Sequence, residues 1–100
     1  MEIPDLTQIT GFDWNKGNAK KIWNKHSVLA SECEEVFFHD PLLLFPDSLH
    51  SEKEDRFFVF GRTAQYRLLF IVFTIRNDRV RVISARDMTK REKKEYEKHA

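Results

Sequence analysis

The sequence predicts an α+β domain in which helices precede and follow an antiparallel sheet. Apolar residues recur at helical spacing near both ends of the chain, whereas the stretch between them is rich in aromatic and β-branched residues. The chain has 100 residues, of which 41% are hydrophobic, and this is enough for one hydrophobic core. We therefore expect residues 1–100 to form a single domain of the α+β class.

Two N-terminal helices are predicted. The first covers residues 15–25, where apolar side chains share one face and Asp13 stands in position to cap the start. The second covers residues 31–38, where Ser31 and Glu34 form the spacing of a capping box. Its apolar stripe includes Cys33, which is therefore expected to be a core residue and not a nucleophile.

A sheet of three to four strands follows, and then a C-terminal helix. The first predicted strand, residues 42–45, is short. The third, residues 67–76, is almost continuously hydrophobic and is therefore predicted to be a central strand. Asn77-Asp78 supplies a tight turn between the last two strands, and Thr89 with Glu92 predicts the capped start of a helix over residues 89–98. The predicted strands cover residues 42–45, 56–60, 67–76 and 79–85.

Several familiar chemistries lack their motifs in this chain. The three glycines stand too far apart for a phosphate-binding loop, and one cysteine with four scattered histidines gives no zinc-ligand spacing. No apolar run approaches the ~20 residues of a membrane span. A lone cysteine suits a reducing compartment. We therefore expect a cytoplasmic protein with no metal, no cofactor and no membrane contact.

The formal net charge of +1 conceals a segregated charge distribution. Residues 27–60 contain two basic and eight acidic residues, net −6, whereas residues 76–100 contain nine basic and five acidic residues, net +4. Such asymmetry favours a polyanionic partner. The alternative is that the charges only solvate the surface.

Two arginines stand near predicted strand ends, in phase with apolar neighbours. Simple alternation places Arg76 with the even-numbered residues of its strand, and Arg86 with Val80, Val82 and Ser84 of the next. A guanidinium in such a place must be paired or must line a cleft. Two interpretations stay open: an internal salt bridge to an acid such as Glu54 or Asp87, or a clamp for phosphate oxygens.

Lys25 and His26 close the first predicted helix. Cations at a helix C-terminus are stabilised by the helix dipole, by ~0.3–1 kcal/mol, which is one sufficient explanation of this pair. The other is functional, since a histidine can exchange protons near neutral pH and a lysine can hold a phosphate.

A series of short motifs runs along the chain in a fixed order. The motifs are Phe12-Asp13-Trp14, Asn24-Lys25-His26, Glu34-Glu35-Val36-Phe37, Asp40-Pro41, His50-Ser51-Glu52, Arg56-Phe57, Gly61-Arg62, Arg67-Leu68-Leu69, Thr74-Ile75-Arg76, Arg81-Val82-Ile83-Ser84-Ala85-Arg86, and Arg91-Glu92 through Tyr96. Together they resemble the BrnT family of toxins from bacterial type II toxin–antitoxin pairs, over roughly residues 12–97. Ser27 and Tyr66 stand where that family usually has glycine, so we expect altered turns there.

The resemblance implies a RelE-like ribonuclease fold and RNA cleavage that arrests translation. It also implies a hetero-oligomer with a BrnA-type antitoxin. The ribbon-helix-helix domain of that antitoxin would bind DNA and repress the operon that encodes both proteins. Metal-free RNA cleavage needs proton transfer and fixed positive charge at the phosphorane. The resemblance and the strand-end arginines lead us to assign His26 to proton transfer and Arg76 and Arg86 to the phosphorane. Lys25 and Arg81 would position the RNA backbone, and Tyr96 would stack a base or donate a proton.

A different class of function stays open beside the ribonuclease. The acidic residues 27–60 and the apolar second helix would equally suit a non-catalytic module that binds a partner protein. Direct DNA binding by the last helix is disfavoured, because Glu92, Glu95 and Glu97 interleave with its lysines.

Overall fold

The computed structural model describes residues 3–99 as a five-stranded mixed sheet with three helices. The strands lie in the order β1-β5-β4-β3-β2, and every neighbouring pair is antiparallel except β1 with β5, which is parallel. The elements are β1 (Gly11–Phe12), α1 (Lys16–His26), α2 (Ala30–Val36), β2 (Leu43–Pro46), β3 (Arg56–Arg62), β4 (Leu68–Arg76), β5 (Arg79–Asp87) and α3 (Lys90–Glu97), with short 3-10 turns at Leu6–Gln8 and Ser48–His50.

The predicted α+β class is confirmed, but the predicted sheet differs in detail. Strand β1 adds a fifth strand, makes the sheet mixed, and precedes the two N-terminal helices. Gly11 pairs with Arg79 and Phe12 with Val80, and the Asp13 amide donates to the Val80 carbonyl at 2.8 Å. A two-residue strand carries no detectable periodicity, so only its tertiary partner β5 reveals it.

The hydrophobic core lies between helices α1 and α2 and one face of the sheet, the core face. Cys33 is fully buried there, as predicted, and burial raises the pKa of its thiol to about 12. The ring of Phe73 lies at the centre, 5.2 Å from the ring of Phe37 and 5.7 Å from that of Phe57. The buried core residues are Ile22, Val28, Cys33, Val36, Phe57, Val59, Leu69, Ile71, Phe73, Val80, Val82 and Ala85.

Polar side chains fix the start of α1 and of α3. The capping residue of α1 is Asn15, not Asp13: Asn15 and Asn18 each accept a hydrogen bond from the other's amide, at 3.0 and 2.8 Å. At α3 the predicted capping box is confirmed, since Thr89 and Glu92 exchange the same two bonds at 2.8 and 3.2 Å.

Helix α2 begins earlier than predicted, so the capping box expected from Ser31 and Glu34 does not form. The Glu32 carboxylate instead accepts a hydrogen bond from the Leu29 amide at 2.9 Å. Glu34 is free for another partner and accepts from the Trp14 indole at 2.8 Å. The acid that matched the capping pattern therefore ties α2 to the chain before α1.

One guanidinium joins four parts of the fold, and we name its contacts the Arg67 cluster. Arg67 stands just before β4 and donates to both carboxylate oxygens of Asp87 at the end of β5, at 2.8 and 3.1 Å. It also donates to Glu32 of α2 at 3.0 Å, and to the carbonyls of Ser27 and His26 at the end of α1 at 3.0 and 3.5 Å. The hydrogen bonds from Arg67 hold the pKa of Asp87 below its ordinary value.

Ser27 and Tyr66, which stand where the BrnT family usually has glycine, both adopt a left-handed backbone conformation. Ser27, which ends α1, has φ 54°, and Tyr66 has φ 64°. This conformation costs a residue with a side chain ~1–2 kcal/mol, whereas glycine adopts it freely. Both residues adjoin the Arg67 cluster, since Ser27 supplies a carbonyl to it and Tyr66 precedes Arg67. The turns thus keep a geometry for which glycine is the easier residue.

Replacing Ser27 by glycine is expected to stabilise the protein. Relief of left-handed strain outweighs the greater chain entropy of glycine, so Ser27→Gly should raise the free energy of unfolding by about 0.5–1 kcal/mol in urea titration. Ser31→Gly, the same chemical change inside α2, should lower it by about 0.5–1 kcal/mol. If both variants are destabilised equally, Ser27 carries no such strain.

The Arg67 cluster predicts a loss of stability in acid. Because the pKa of Asp87 lies lower in the folded chain than its ordinary 3.8, its contribution is complete above that value and disappears as the pH falls through the folded value. Asp87 is 57% exposed, so screening limits the contribution to about 1 kcal/mol. Unfolding titrations should show Asp87→Asn less stable than wild type at pH 7, with the difference vanishing between about pH 4 and pH 2. A stability difference that is independent of pH would contradict the assignment.

Candidate active site

The second face of the sheet, which we name the open face, carries arginine and aromatic side chains. Residues paired across neighbouring strands point to the same face, so the register defines rows of side chains. Helix α3 lies over one end of this face, where residues of α3, β2 and β3 line a cavity of about 330 Å³. The successive rows across β3, β4 and β5 are Arg56–Thr74–Arg81, Phe58–Val72–Ser84 and Phe60–Phe70–Arg86.

A β-bulge decides which residues of β5 reach the open face. Ile83 is the extra residue, because Val72 pairs with Ser84 whereas Phe73 pairs with Val82. Even-numbered residues of β5 face the core before the bulge and the open face after it. The prediction that Val80, Val82, Ser84 and Arg86 share one side of the sheet is therefore wrong. Val80 and Val82 lie on the core face, whereas Ser84 and Arg86 lie on the open face.

Three arginines lie around Glu54 at the end of the open face farther from α3, and we name them the arginine cluster: Arg56, Arg76 and Arg81. Arg76 donates to both carboxylate oxygens of Glu54, at 3.0 and 3.2 Å, which confirms the salt bridge considered for it. That hydrogen bonding lowers the pKa of Glu54. Arg81 lies 3.6 Å from the carboxylate of Asp13. Within residues 3–99 Arg56 forms no ion pair, so the cluster retains uncompensated positive charge.

Arg86 lies at the opposite end of the open face, beneath α3. It donates to both carboxylate oxygens of Glu92, at 2.8 and 3.1 Å, and its guanidinium carbon lies 4.2 Å from the centre of the Phe70 ring. The internal salt bridge considered for this arginine forms, but with Glu92 and not with Glu54 or Asp87, and its hydrogen bonds lower the pKa of the Glu92 carboxylate. The arginine links α3 to the sheet.

The structure does not bring Arg76 and Arg86 together. Arg86 pairs with Phe70, which precedes Arg76 by six residues in β4, and six residues of strand span ~20 Å. With one guanidinium bound to Glu54 and the other to Glu92, the two do not converge on one phosphate.

Lys25 and His26 lie in the helical layer that covers the core face. Both occupy the last turn of α1, where the helix dipole favours positive charge, as expected. The His26 carbonyl belongs to the Arg67 cluster, and its ring acts electrostatically on Asp87. This pair is therefore separated from the arginine cluster by the sheet.

Tyr96 serves to attach α3 to the rest of the fold. Its side chain is buried, with 3% exposure, and its hydroxyl donates to the Pro41 carbonyl just before β2. Burial raises the pKa of the phenol. Because a base can stack only on an accessible ring, this arrangement does not support the predicted contact with RNA.

Sequence reasoning missed the aromatic strip along the middle of the open face. Phe45 of β2 lies 5.3 Å from Phe58 between ring centres in a stacked arrangement, and Phe60 lies 5.1 Å from Phe70. Phe45 is 42% exposed. The alternation of residues 56–60 could have indicated this strip, because it places Phe58 and Phe60 on one side of the strand and the buried Phe57 and Val59 on the other. Aromatic rings beside arginines form a surface typical of sites for single-stranded nucleic acid.

His50 and Arg56 were also missed, although both occur in the motifs of the resemblance. They line a groove of about 370 Å³ on the open face, together with Asp47, Ser84 and aromatic and aliphatic side chains of the sheet. His50 is the last residue of the short 3-10 turn Ser48–His50, which lies early in the connection from β2 to β3 and which no periodicity in the sequence indicates.

Within residues 3–99, no three histidine, cysteine, aspartate or glutamate side chains lie close enough to share a metal ion. No helix in that part is long and apolar enough to cross a lipid bilayer.

Arg81→Ala is expected to weaken binding of single-stranded RNA. A 2′-O-methyl oligoribonucleotide, which cannot undergo cleavage through its 2′-oxygen, is a suitable ligand for fluorescence anisotropy. Loss of one phosphate contact should weaken binding several-fold and reduce the slope of log K against log salt by about 1. Lys21→Ala removes the same charge from the exposed side of α1 and should leave both quantities unchanged. Equal effects of the two variants would contradict an RNA site on the open face.

Comparison with known protein families gives a match over most of the chain. A model of the ribonuclease toxin BrnT of type II toxin–antitoxin systems matches residues 14–92, which include α1, α2 and strands β2 to β5. A search of curated proteins gives no match. The matched residues contain the whole arginine cluster and the groove beside it. This chain belongs to the BrnT family of ribonuclease toxins of type II toxin–antitoxin systems.

Proposed function

We propose that this toxin cleaves RNA on the open face of the sheet without a metal ion, and that the cleavage inhibits translation in the cytoplasm. The observation that carries the proposal is the row Arg56–Thr74–Arg81 beside the groove and the aromatic strip. Family membership supplies the class of reaction, and the open face supplies the side chains that such a reaction needs.

The arginine cluster is suited to stabilising the negative charge of a phosphorane. Fixed guanidinium groups act where charge develops, and their planar geometry matches phosphate oxygens. Arg56 has no carboxylate partner among residues 3–99, while Glu54 and Asp13 hold Arg76 and Arg81 in place. A bound phosphate would therefore meet preorganised donors.

The remaining predicted residues take other roles in this proposal. Arg86 contacts the RNA backbone farther along the face, ~20 Å from Arg76. Lys25 attracts RNA from the edge of α1, where its side chain is exposed. His26 lies across the sheet from the arginine cluster, so we place proton transfer on the open face and not at His26.

The partner of this toxin is proposed to be a BrnA-type antitoxin with a ribbon-helix-helix domain, and the pair to be a hetero-oligomer. A type II toxin requires a protein antitoxin. The acidic segment of residues 27–60 includes the exposed apolar side chains of Phe38 and Leu49, which suit contact with a protein. DNA is contacted only through the antitoxin.

RNA cleavage is expected to persist in EDTA and to depend on Arg56. Single-turnover cleavage by Arg56→Ala should be about 10²-fold slower than by wild type, because the variant lacks one donor to the phosphorane. Arg79→Ala is the matched control, since Arg79 is exposed at the β4–β5 turn and also forms no ion pair among the described residues. His26→Ala should cleave at the wild-type rate.

Three results would contradict parts of this proposal. Activity lost in EDTA and restored by Mg²⁺ would exclude the metal-free mechanism. Loss of cleavage in His26→Ala, with RNA binding intact, would show that His26 of α1 carries out the proton transfer. A wild-type protein that binds its antitoxin but never cleaves RNA would favour the non-catalytic binding module.

A further inference from the structure

We propose that His50, oriented by Asp47, is the catalytic residue that accepts the proton of the RNA 2′-hydroxyl. This inference rests on the proposed function and deepens it, because it names the proton-transfer group of the same open face. The substrate class is a single-stranded RNA phosphodiester with a free 2′-hydroxyl.

Asp47 and His50 form a carboxylate–imidazole pair at the edge of the groove. The His50 Nδ1 atom lies 3.0 and 3.1 Å from the two carboxylate oxygens of Asp47. The Asp47 side chain is 15% exposed and that of His50 is 64% exposed, so the carboxylate is covered while the ring faces solvent. Within residues 3–99, Nε2 has no hydrogen-bond partner, and it is the atom available to a substrate.

His50 and Arg56 lie where two cavities of the open face meet. The larger, of about 370 Å³, is of the size that accommodates a small ligand and runs over the sheet. The other, of about 320 Å³, is lined by charged side chains of the β2–β3 connection. The charged groups around His50 are Asp47, Glu52, Lys53, Glu54 and Arg56.

Backbone hydrogen bonds hold this pair beside the arginine cluster. The Asp47 amide donates to the Arg56 carbonyl at 2.8 Å, and the Arg56 amide donates to the Ser51 hydroxyl oxygen at 3.0 Å. The Ser51 hydroxyl in turn donates to the Asp47 carbonyl at 2.7 Å. The base and the adjacent arginine are therefore fixed relative to each other before substrate binds, which is what general base catalysis requires.

His50 is the only histidine of the described chain whose ring is hydrogen-bonded to a carboxylate. The Asp47 carboxylate accepts the Nδ1 proton, which leaves Nε2 as the basic nitrogen, and it stabilises the imidazolium that forms. His26 lies in the other layer, whereas His99 lies beside α3. Imidazole is the side chain most often used for proton transfer near neutral pH.

The proposed step is an internal transesterification. Nε2 accepts the 2′-hydroxyl proton, O2′ forms a bond to phosphorus, and the bond from phosphorus to O5′ breaks. Solvent water protonates the departing O5′, and the imidazolium returns its proton to solvent. The products are a 2′,3′-cyclic phosphate and a 5′-hydroxyl end, and Arg56 and Arg81 stabilise the phosphorane between them.

Single-turnover cleavage in EDTA tests the assignment. His50→Ala should be at least about 10²-fold slower than wild type, with unchanged binding of a 2′-O-methyl oligoribonucleotide and an unchanged melting temperature. His99→Ala, an exposed histidine on α3's side of the face, should cleave at the wild-type rate. Added imidazole should partly restore cleavage by His50→Gly, which a merely structural role would not permit.

Asp47 acts through His50 as a positioning residue, so the two effects should not add. Asp47→Asn should slow cleavage in the wild-type background but cause no further loss in His50→Ala. Wild-type cleavage with an undiminished rate in His50→Ala overturns this inference and leaves the proposed function intact. A wild-type protein that does not cleave RNA overturns both.

Discussion

The Arg67 guanidinium is the contact on which the arrangement of layers depends. It binds the carboxylates of Asp87 and Glu32 and two carbonyls at the end of α1, so it joins strands β4 and β5 to both helices of the core face. A planar group with five donors can satisfy these acceptors together, which the point charge of lysine cannot do. The chain accepts left-handed backbone at Ser27 and Tyr66 to place this group. The strained backbone of Ser27 and Tyr66 and the ion pairs of Arg67 therefore lie at the same end of the sheet.

Because both helices of the core face are fixed in this way, the other face of the sheet remains available for ligands. Its arginines are held by carboxylates only in part, since Arg56 forms no ion pair among residues 3–99 and Arg81 lies 3.6 Å from Asp13. The aromatic strip beside them offers ring faces to bases, and the arginines offer charge to phosphates. The near-neutral net charge therefore coexists with a cationic cluster on the open face, beside which residues 27–60 supply the carboxylates of Asp47 and Glu54.

The sequence predicted the elements well and their relations less well. Strands β3 to β5 and the Thr89 cap follow from local periodicity and capping chemistry, which act over a few residues. The Ile83 bulge reverses the phase of β5, and simple alternation has no means of detecting it. The residues of the candidate site were predicted least well. The separation of Arg76 from Arg86 depends on strand register, and the closeness of Asp47 to His50 depends on the conformation of a loop. Motif order identified the family, but it does not indicate which face of the sheet each residue occupies.

The most direct test of the central claim, that RNA lies on the open face, is chemical-shift mapping with a 2′-O-methyl oligoribonucleotide. RNA binding on the open face should shift the amide signals of Arg56, Thr74, Arg81 and Ser84 on titration, while those of Lys20, Lys21 and helix α2 stay unchanged. The control is the same titration with Arg81→Ala, in which the shifts should require more ligand. Shifts concentrated on Lys16, Lys20 and Lys21 of α1, with the open face unchanged, would contradict RNA binding on the open face.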